Sequence, residues 1–267
     1  ATTEISTLSL HDALPIYVFA PLDIFPRERV VCIIGNYGSG KSEVSVNWAL
    51  ALAQAGVSPL YIADLDIVNP YFRCREAIDP LEAAGVRVVV PRGGHFWADL
   101  PIILPEIKGL FERSEGTALF DVGGDDAGAR VLKSFAGAIP DYEMLQVVNT
   151  RRPFTATVEG ILEMRRRIEE SSGLRVTGYI GNTHLMEETT VDTLLESVAV
   201  LGELERVSRT PVRFVTAHVR LVHEFRERAR DYPVLPLRRV LQPPWKPEDH
   251  PASRPLGRPV VKPLFKI

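Results

Sequence analysis

The segment "IIGNYGSGKS", Ile33–Ser42, constrains the fold of this chain more than any other. It satisfies G-x-x-x-x-G-K-[ST] over Gly35, Asn36, Tyr37, Gly38, Ser39, Gly40, Lys41 and Ser42, directly after the β-branched run "RVVCII" and directly before a helical pattern. The order of strand, glycine-rich loop and helix is what makes the match specific. Glycines at 35, 38 and 40 let successive N–H groups turn toward an anion, and a helix starting near Lys41 adds the positive end of its dipole. Lys41 is expected to reach the β- and γ-phosphates of a nucleotide, and Ser42 to offer its hydroxyl to Mg²⁺. All eight residues are therefore candidate nucleotide contacts.

From Arg29 onward, short apolar runs alternate with helical stretches: "RVVCII", "PLYIAD", "VRVVVP", "TALFDV", "YEMLQVVN", "RVTGYIGN" and "VRFVTA". Each is apolar on both faces, as a strand buried between two helix layers must be. The expectation is an α/β protein with a mostly parallel sheet and helices on both faces, the three-layer α/β/α arrangement of P-loop NTPases. Helices are expected over Lys41–Ala55, Leu104–Arg113, Ala127–Phe135, Thr155–Ser171, Glu187–Val207 and Leu221–Ala229, with Gly56 and Gly173 as helix-ending glycines. Residues 17–240 read as one domain. After Tyr232 the chain turns proline-rich, and residues 241–267 read as an arm that Trp245 anchors on the body. The segment "TLSLHDALPI", Thr7–Ile16, is word for word a translation of a common sequencing-adapter string, so residues 1–16 are set aside as a non-native or disordered leader.

The 267 residues carry a formal net charge of −3 with interspersed signs, so no basic face points to nucleic acid. No apolar run approaches the roughly 20 residues that cross a bilayer. Only Cys32 and Cys74 are present, far apart, which supports neither a disulfide framework nor a paired-cysteine metal site. A reducing cytoplasm is the expected setting. His95, His184, His218 and His223 show no metal-ligand spacing, and no zinc site is assigned to them.

Two further stretches carry carboxylates at strand ends. "ALFDVGGDD" provides Asp121 as the Mg²⁺ partner, and Asp121-Val122-Gly123-Gly124 forms D-x-x-G, in which the Gly124 N–H can sense a γ-phosphate. Asp125 and Asp126 are expected to cap the next helix. "YIADLDIVNPYFRCRE" places Asp64 and Asp66 after the second strand, with "NP" then sending the chain across the site. The two are expected to point different ways, Asp66 positioning or activating the attacking water and Asp64 supporting the metal shell. Arg73 and Arg75 are candidates for phosphate or partner contacts.

These residues resemble the MinD/ParA/Mrp and nitrogenase iron-protein class of P-loop ATPases, grouped with the CobQ/CobB nucleotide-binding domains, over roughly Val30–Ala217. The resemblance rests on the loop, on "DLDIVNP" as the D-x-D signature, on "DVGG" as the switch segment, and on "VVNTRRPFTATVEG" and "GYIGNTHL" as later strand ends. It implies Asn182 as a base contact, with Asn149 and Arg152 lining the same rim. The chain departs from the class at Asn36, where the dimeric members have a lysine that acts across the dimer. It also carries Ala127 and Gly128 near the switch and no C-x-x-C for an Fe–S cluster. Adenine is expected as the base, because no N-K-x-D run occurs.

The leading expectation is an Mg²⁺-dependent, slow ATPase that acts as a nucleotide switch for a protein partner, as monomer or homodimer. One alternative is an ATP-dependent kinase or ligase whose small anionic acceptor binds near Arg92, His95 and Trp97. A third is a nucleotide-binding scaffold without turnover.

Overall fold

Among the described residues, eight short apolar runs pair side by side in one sheet, all parallel. The computed structural model describes residues 24–66, 74–90, 104–113, 115–123, 126–139 and 141–241. The chain runs β1 (Val30–Gly35), α1 (Lys41–Gln54), β2 (Leu60–Leu65), α2 (Ile78–Ala83), β3 (Arg87–Val89), α3 (Leu104–Glu112), β4 (Thr117–Val122) and α4 (Asp126–Phe135). It continues through β5 (Tyr142–Val148), α5 (Val158–Ser172), β6 (Gly178–Gly181), α6 (Val191–Ser208), β7 (Val212–His218), α7 (Val222–Arg228) and β8 (Val234–Leu237). Across the sheet the strands lie in the order β3-β2-β4-β1-β5-β6-β7-β8.

Alternation along each strand sends its side chains to two separate cores. Val30, Cys32 and Ile34 of β1 belong to one core, which continues across the sheet through Leu110 of α3, Leu132 of α4, Ile161 of α5, Leu201 of α6 and Phe225 of α7. Val31 and Ile33 face the other way and pack with Val44, Trp48 and Leu52 of α1 and Leu81 of α2. Helices therefore cover both faces, as the doubly apolar strands require.

The seven expected strands all form. An eighth, β8, joins the edge beside β7, with Pro236 opposite Ala217. An edge strand tolerates a proline because one of its sides needs no ladder hydrogen bond. The body consequently extends through the start of the proline-rich region, and Leu241 is buried in the core under α1. The helix α2 was also not expected. Helix α6 starts at Val191 rather than Glu187, because the Thr190 side chain accepts from the Thr193 N–H and caps it there. Thr157 does the same for α5 through Gly160 N, and Gly173 ends that helix at φ 72°. Residues 1–23 and 242–267, including Trp245, lie outside the described residues.

The chain leaves β1 through α1 on one face and β4 through α4 on the other. Between the carboxyl ends of these adjacent strands lies the crevice where open α/β sheets bind ligands.

Candidate functional site

The glycine-rich loop spans the crevice between β1 and α1. Gly40 sits at φ 82° as the residue before α1, and no side chain caps the helix, so its first N–H groups are left facing the loop. At Gly35 a Cβ would stand 2.6 Å from the Val147 carbonyl oxygen and 2.9 Å from Ser39 Oγ, so only glycine lets the loop lie this close to β5. Lys41 and Ser42 are buried at the head of α1, whereas Tyr37 at the loop tip is 71% exposed.

Two residues from later strand ends hold the loop directly, and a third supports them. The Asn182 side-chain amide donates to Ser39 O at 2.7 Å, and its own oxygen accepts from the Thr216 hydroxyl at 2.5 Å. Arg152 Nε donates to Gly38 O at 3.0 Å. Asn149 is buried and acts on the neighbouring loops, its Oδ1 accepting from Arg151 N at 2.9 Å and its Nδ2 donating to His184 O at 3.3 Å. Asn182 and Arg152 thus touch the loop itself, and Asn149 positions the strand ends that carry them.

The carboxylates converge below the loop. In register, Asp64 of β2 lies beside Asp121 of β4, and both strands place these residues on the face that α1 covers. Asp66 follows two residues on. The expectation that Asp64 and Asp66 point different ways is corrected here: extended backbone alternates with a period of two, so residues 64 and 66 share a face. The geometry agrees, since Asp64 Oδ1 accepts from Asp66 N at 3.0 Å and Asp66 Oδ2 lies 3.4 Å from Lys41 Nζ. Lys41 is thus paired with Asp66, and both side chains are almost fully buried.

Asp121 is fully buried and neither carboxylate oxygen has a hydrogen-bond partner of good geometry. Burial pushes its carboxyl up to about 7; the Lys41 ammonium opposes the rise, the Asp64 charge adds to it, the nearby Ser42 hydroxyl opposes it and Asp66 adds to it. A buried carboxylate with the Ser42 hydroxyl as its one named nearby donor, beside a second carboxylate, suits a bound divalent cation. Gly124, Asp125, Arg73, Arg92, His95 and Trp97 lie outside the described residues, as do the side chains of Arg75 and Asp126.

Four contributors, His184, Thr216, Glu43 and Asn47, were given no site role in the sequence. His184 brings Nε2 to 3.2 Å from where a Cβ at Gly40 would stand, and burial, then Arg152 and Arg239, holds its imidazole down at about 4. Thr216 fixes the Asn182 amide. On the flank of α1, Glu43 accepts from Val240 N at 2.7 Å and Leu241 N at 3.2 Å, while Asn47 exchanges hydrogen bonds with the backbone of Arg238. These last contacts join the segment after β8 to the helix that begins at the loop. The mostly apolar run "VSVNWALALA" was the available signal, since a helix apolar on most sides must be covered on more than one.

An all-parallel sheet with helices on both faces, carrying a G-x-x-x-x-G-K-S loop at the β1–α1 turn, defines the P-loop α/β class. No family model and no curated protein matches the chain. Solved structures are similar at low identity. Chloroplast FtsY from Physcomitrella patens is 18% identical over 75% of this chain and 64% of that one, at TM-score 0.47. A nucleotide-binding protein from Archaeoglobus fulgidus, in complex with ADP, is 18% identical over 68% and 80%, at TM-score 0.39. The signal recognition particle 54 kDa protein from Aeropyrum pernix, in complex with GDP, is 20% identical over 72% and 42%, at TM-score 0.45. The chain spans less than two thirds of the moss FtsY and less than half of the A. pernix protein. Likenesses of this size assign neither activity nor nucleotide. Among the described residues no helix is long and apolar enough to cross a membrane.

Proposed function

We propose that this chain binds Mg·ATP and hydrolyses it slowly, as a MinD/ParA-like switch whose nucleotide state a protein partner reads. The observation that carries the reading is the buried pairing of Lys41 with Asp66 at the head of α1, beside Ser42, Asp64 and Asp121. Lys41 Nζ is placed to leave Asp66 for the β- and γ-phosphates, which the loop N–H groups hold from the other side. Asp66, released from Lys41, then orients the attacking water and accepts its proton at Oδ2. Ser42, Asp64 and Asp121 are the residues that would hold Mg²⁺. When bound, that ion neutralises charge on the phosphates. The remaining Asn182 N–H is the candidate base contact, and Arg152 keeps the loop closed from Gly38. Asn36 bears on a neutral side chain any contact that a lysine makes across a dimer in relatives, so a dimer of this chain must complete its site by other groups.

The test is Mg²⁺-dependent hydrolysis of ATP and GTP by wild type, Lys41→Ala and Asp66→Ala, with size-exclusion chromatography in each nucleotide state. Slow ATP turnover, lost binding in Lys41→Ala and binding without turnover in Asp66→Ala support the switch reading. Tight binding with no phosphate release by wild type overturns hydrolysis, and preference for GTP overturns the base assignment.

A further inference from the structure

One atom at the carboxylate cluster has no part in that reading. Cys74 opens the 3-10 turn Cys74–Ala77, is fully buried, and brings Sγ to the end of β2. Its sulfur and one carboxylate oxygen each from Asp64 and Asp121 all lie within 4.8 Å of one another. Tetrahedral bonds of about 2.0–2.3 Å set ligand atoms roughly 3.3–3.8 Å apart, so small side-chain rotations bring the three onto one ion.

A buried cysteine is ordinarily a small apolar residue, and Cys32 is one: it sits within β1 among aliphatic side chains, where burial pushes its thiol up to about 12. Cys74 differs in its surroundings, because two buried carboxylates stand beside it. Asp121 adds the independent observation, since both its oxygens are buried without a hydrogen-bond partner and one of them belongs to the cluster. A carboxylate so placed is costly until a cation or proton satisfies it.

Sulfur also selects the ion. Sites made of oxygen alone suit Mg²⁺, whereas a thiolate favours borderline and soft ions. Three protein ligands with a position left open match reactive rather than closed structural zinc sites. We infer that Asp64, Cys74 and Asp121 bind a divalent transition-metal ion of the Zn²⁺/Co²⁺ class directly, one ligand atom each, and that they do so without nucleotide. Binding displaces the Cys74 thiol proton to solvent. The site shares Asp64 and Asp121 with the Mg²⁺ position of the proposed function, so an ion held here takes the place of Mg²⁺. It depends on that pocket and not on turnover.

Co²⁺ titrated into the metal-free full chain, with no nucleotide present, reads the sulfur directly. The expected result is one equivalent bound with a sulfur-to-cobalt charge-transfer band in the near ultraviolet. Cys74→Ala should abolish the band and weaken Co²⁺ binding by more than about tenfold, the least that loss even of a supporting group costs. Cys32→Ala should leave both intact. X-ray absorption on the Zn²⁺-loaded wild type gives a measurement independent of any variant, with one sulfur expected at about 2.3 Å among oxygen neighbours. An oxygen-only shell, a cobalt spectrum without the band, or no binding overturns the inference. Nucleotide binding is measured in a separate titration, so loss of one result leaves the other standing.

Discussion

Lys41 Nζ stands 3.4 Å from Asp66 Oδ2, with both side chains about 95% buried. On the proposed reading a phosphate takes the place of this carboxylate as the partner of the loop lysine. The pair couples the first strand end to the second, because Lys41 begins α1 and Asp66 directly follows β2.

That exchange predicts how Asp66→Asn behaves. Without nucleotide the variant leaves a buried ammonium facing a neutral amide, a loss of about 3–5 kcal/mol for a broken buried pair. Saturating ATP supplies a new anionic partner and should restore part of the loss beyond the ordinary ligand effect. Thermal unfolding of wild type and variant, each with and without ATP, gives the comparison. An equal deficit in both conditions would show that Lys41 does not change partners.

Asn182 makes a different prediction from the one a base contact alone would make. Its amide is held between Ser39 O and the Thr216 hydroxyl. Asn182→Ala frees the loop carbonyl and strands the threonine, so ATP and GTP affinities should fall together, by about tenfold for one to two net hydrogen bonds. Equilibrium titration with both nucleotides reads this. A marked shift in the ATP-to-GTP ratio would show that the base contact of Asn182 outweighs its hold on the loop.

Much of this site was legible in the sequence because its parts are local. Gly35–Ser42 declares a loop through glycine positions, and Asp64 and Asp121 announce themselves as carboxylates ending apolar runs. What stayed hidden depends on pairing between distant segments. Cys74 becomes a neighbour of Asp121 only because β2 lies beside β4. Strand β8 was masked by Pro236, which an edge position admits. The roles of Glu43 and Asn47 required knowing that residues 238–241 cross α1. Asp64 and Asp66 depend on no distant pairing: extended backbone alternates with a period of two, so the two share a face, against the expectation that they point different ways.

The carboxyls of Glu43 and Asp121 give the fold a pH dependence of definite sign. Burial raises both to about 7, from ordinary values of 4.5 and 3.8. Between those limits the folded chain holds protons that the unfolded chain has lost, so each contribution is full below its ordinary value and is lost as pH rises through about 7. Nucleotide-free, metal-free protein should therefore lose stability from about pH 5 to pH 7.5 relative to the double variant Glu43→Gln/Asp121→Asn. Urea midpoints across that range are the measurement. Parallel profiles would mean that neither group titrates differently on folding.

At the opposite end of the sheet, Glu143 and Arg213 form an ion pair at 2.8 Å with both side chains about 95% buried. Each also binds the backbone before β1, where Glu143 accepts from Arg27 N at 2.6 Å and Arg213 donates to Phe25 O at 2.9 Å. The pair ties that segment against the amino ends of β5 and β7, and Trp48 adds a bond from its indole N–H to Ile24 O. Arg213→Ala leaves Glu143 charged and buried, so the expected cost is about 3–5 kcal/mol. The double variant Glu143→Leu/Arg213→Met removes both charges and should recover most of that loss. It should not recover all, because Arg27 N and Phe25 O are still left without partners. Since the phosphate loop lies at the carboxyl ends of the strands, nucleotide affinity of the folded double variant should equal that of wild type. Urea unfolding measures the first claim and ATP titration the second. A double variant no more stable than Arg213→Ala would mean that the apolar pair does not fill the space, and that the ion pair is valued for its shape as much as for its charge.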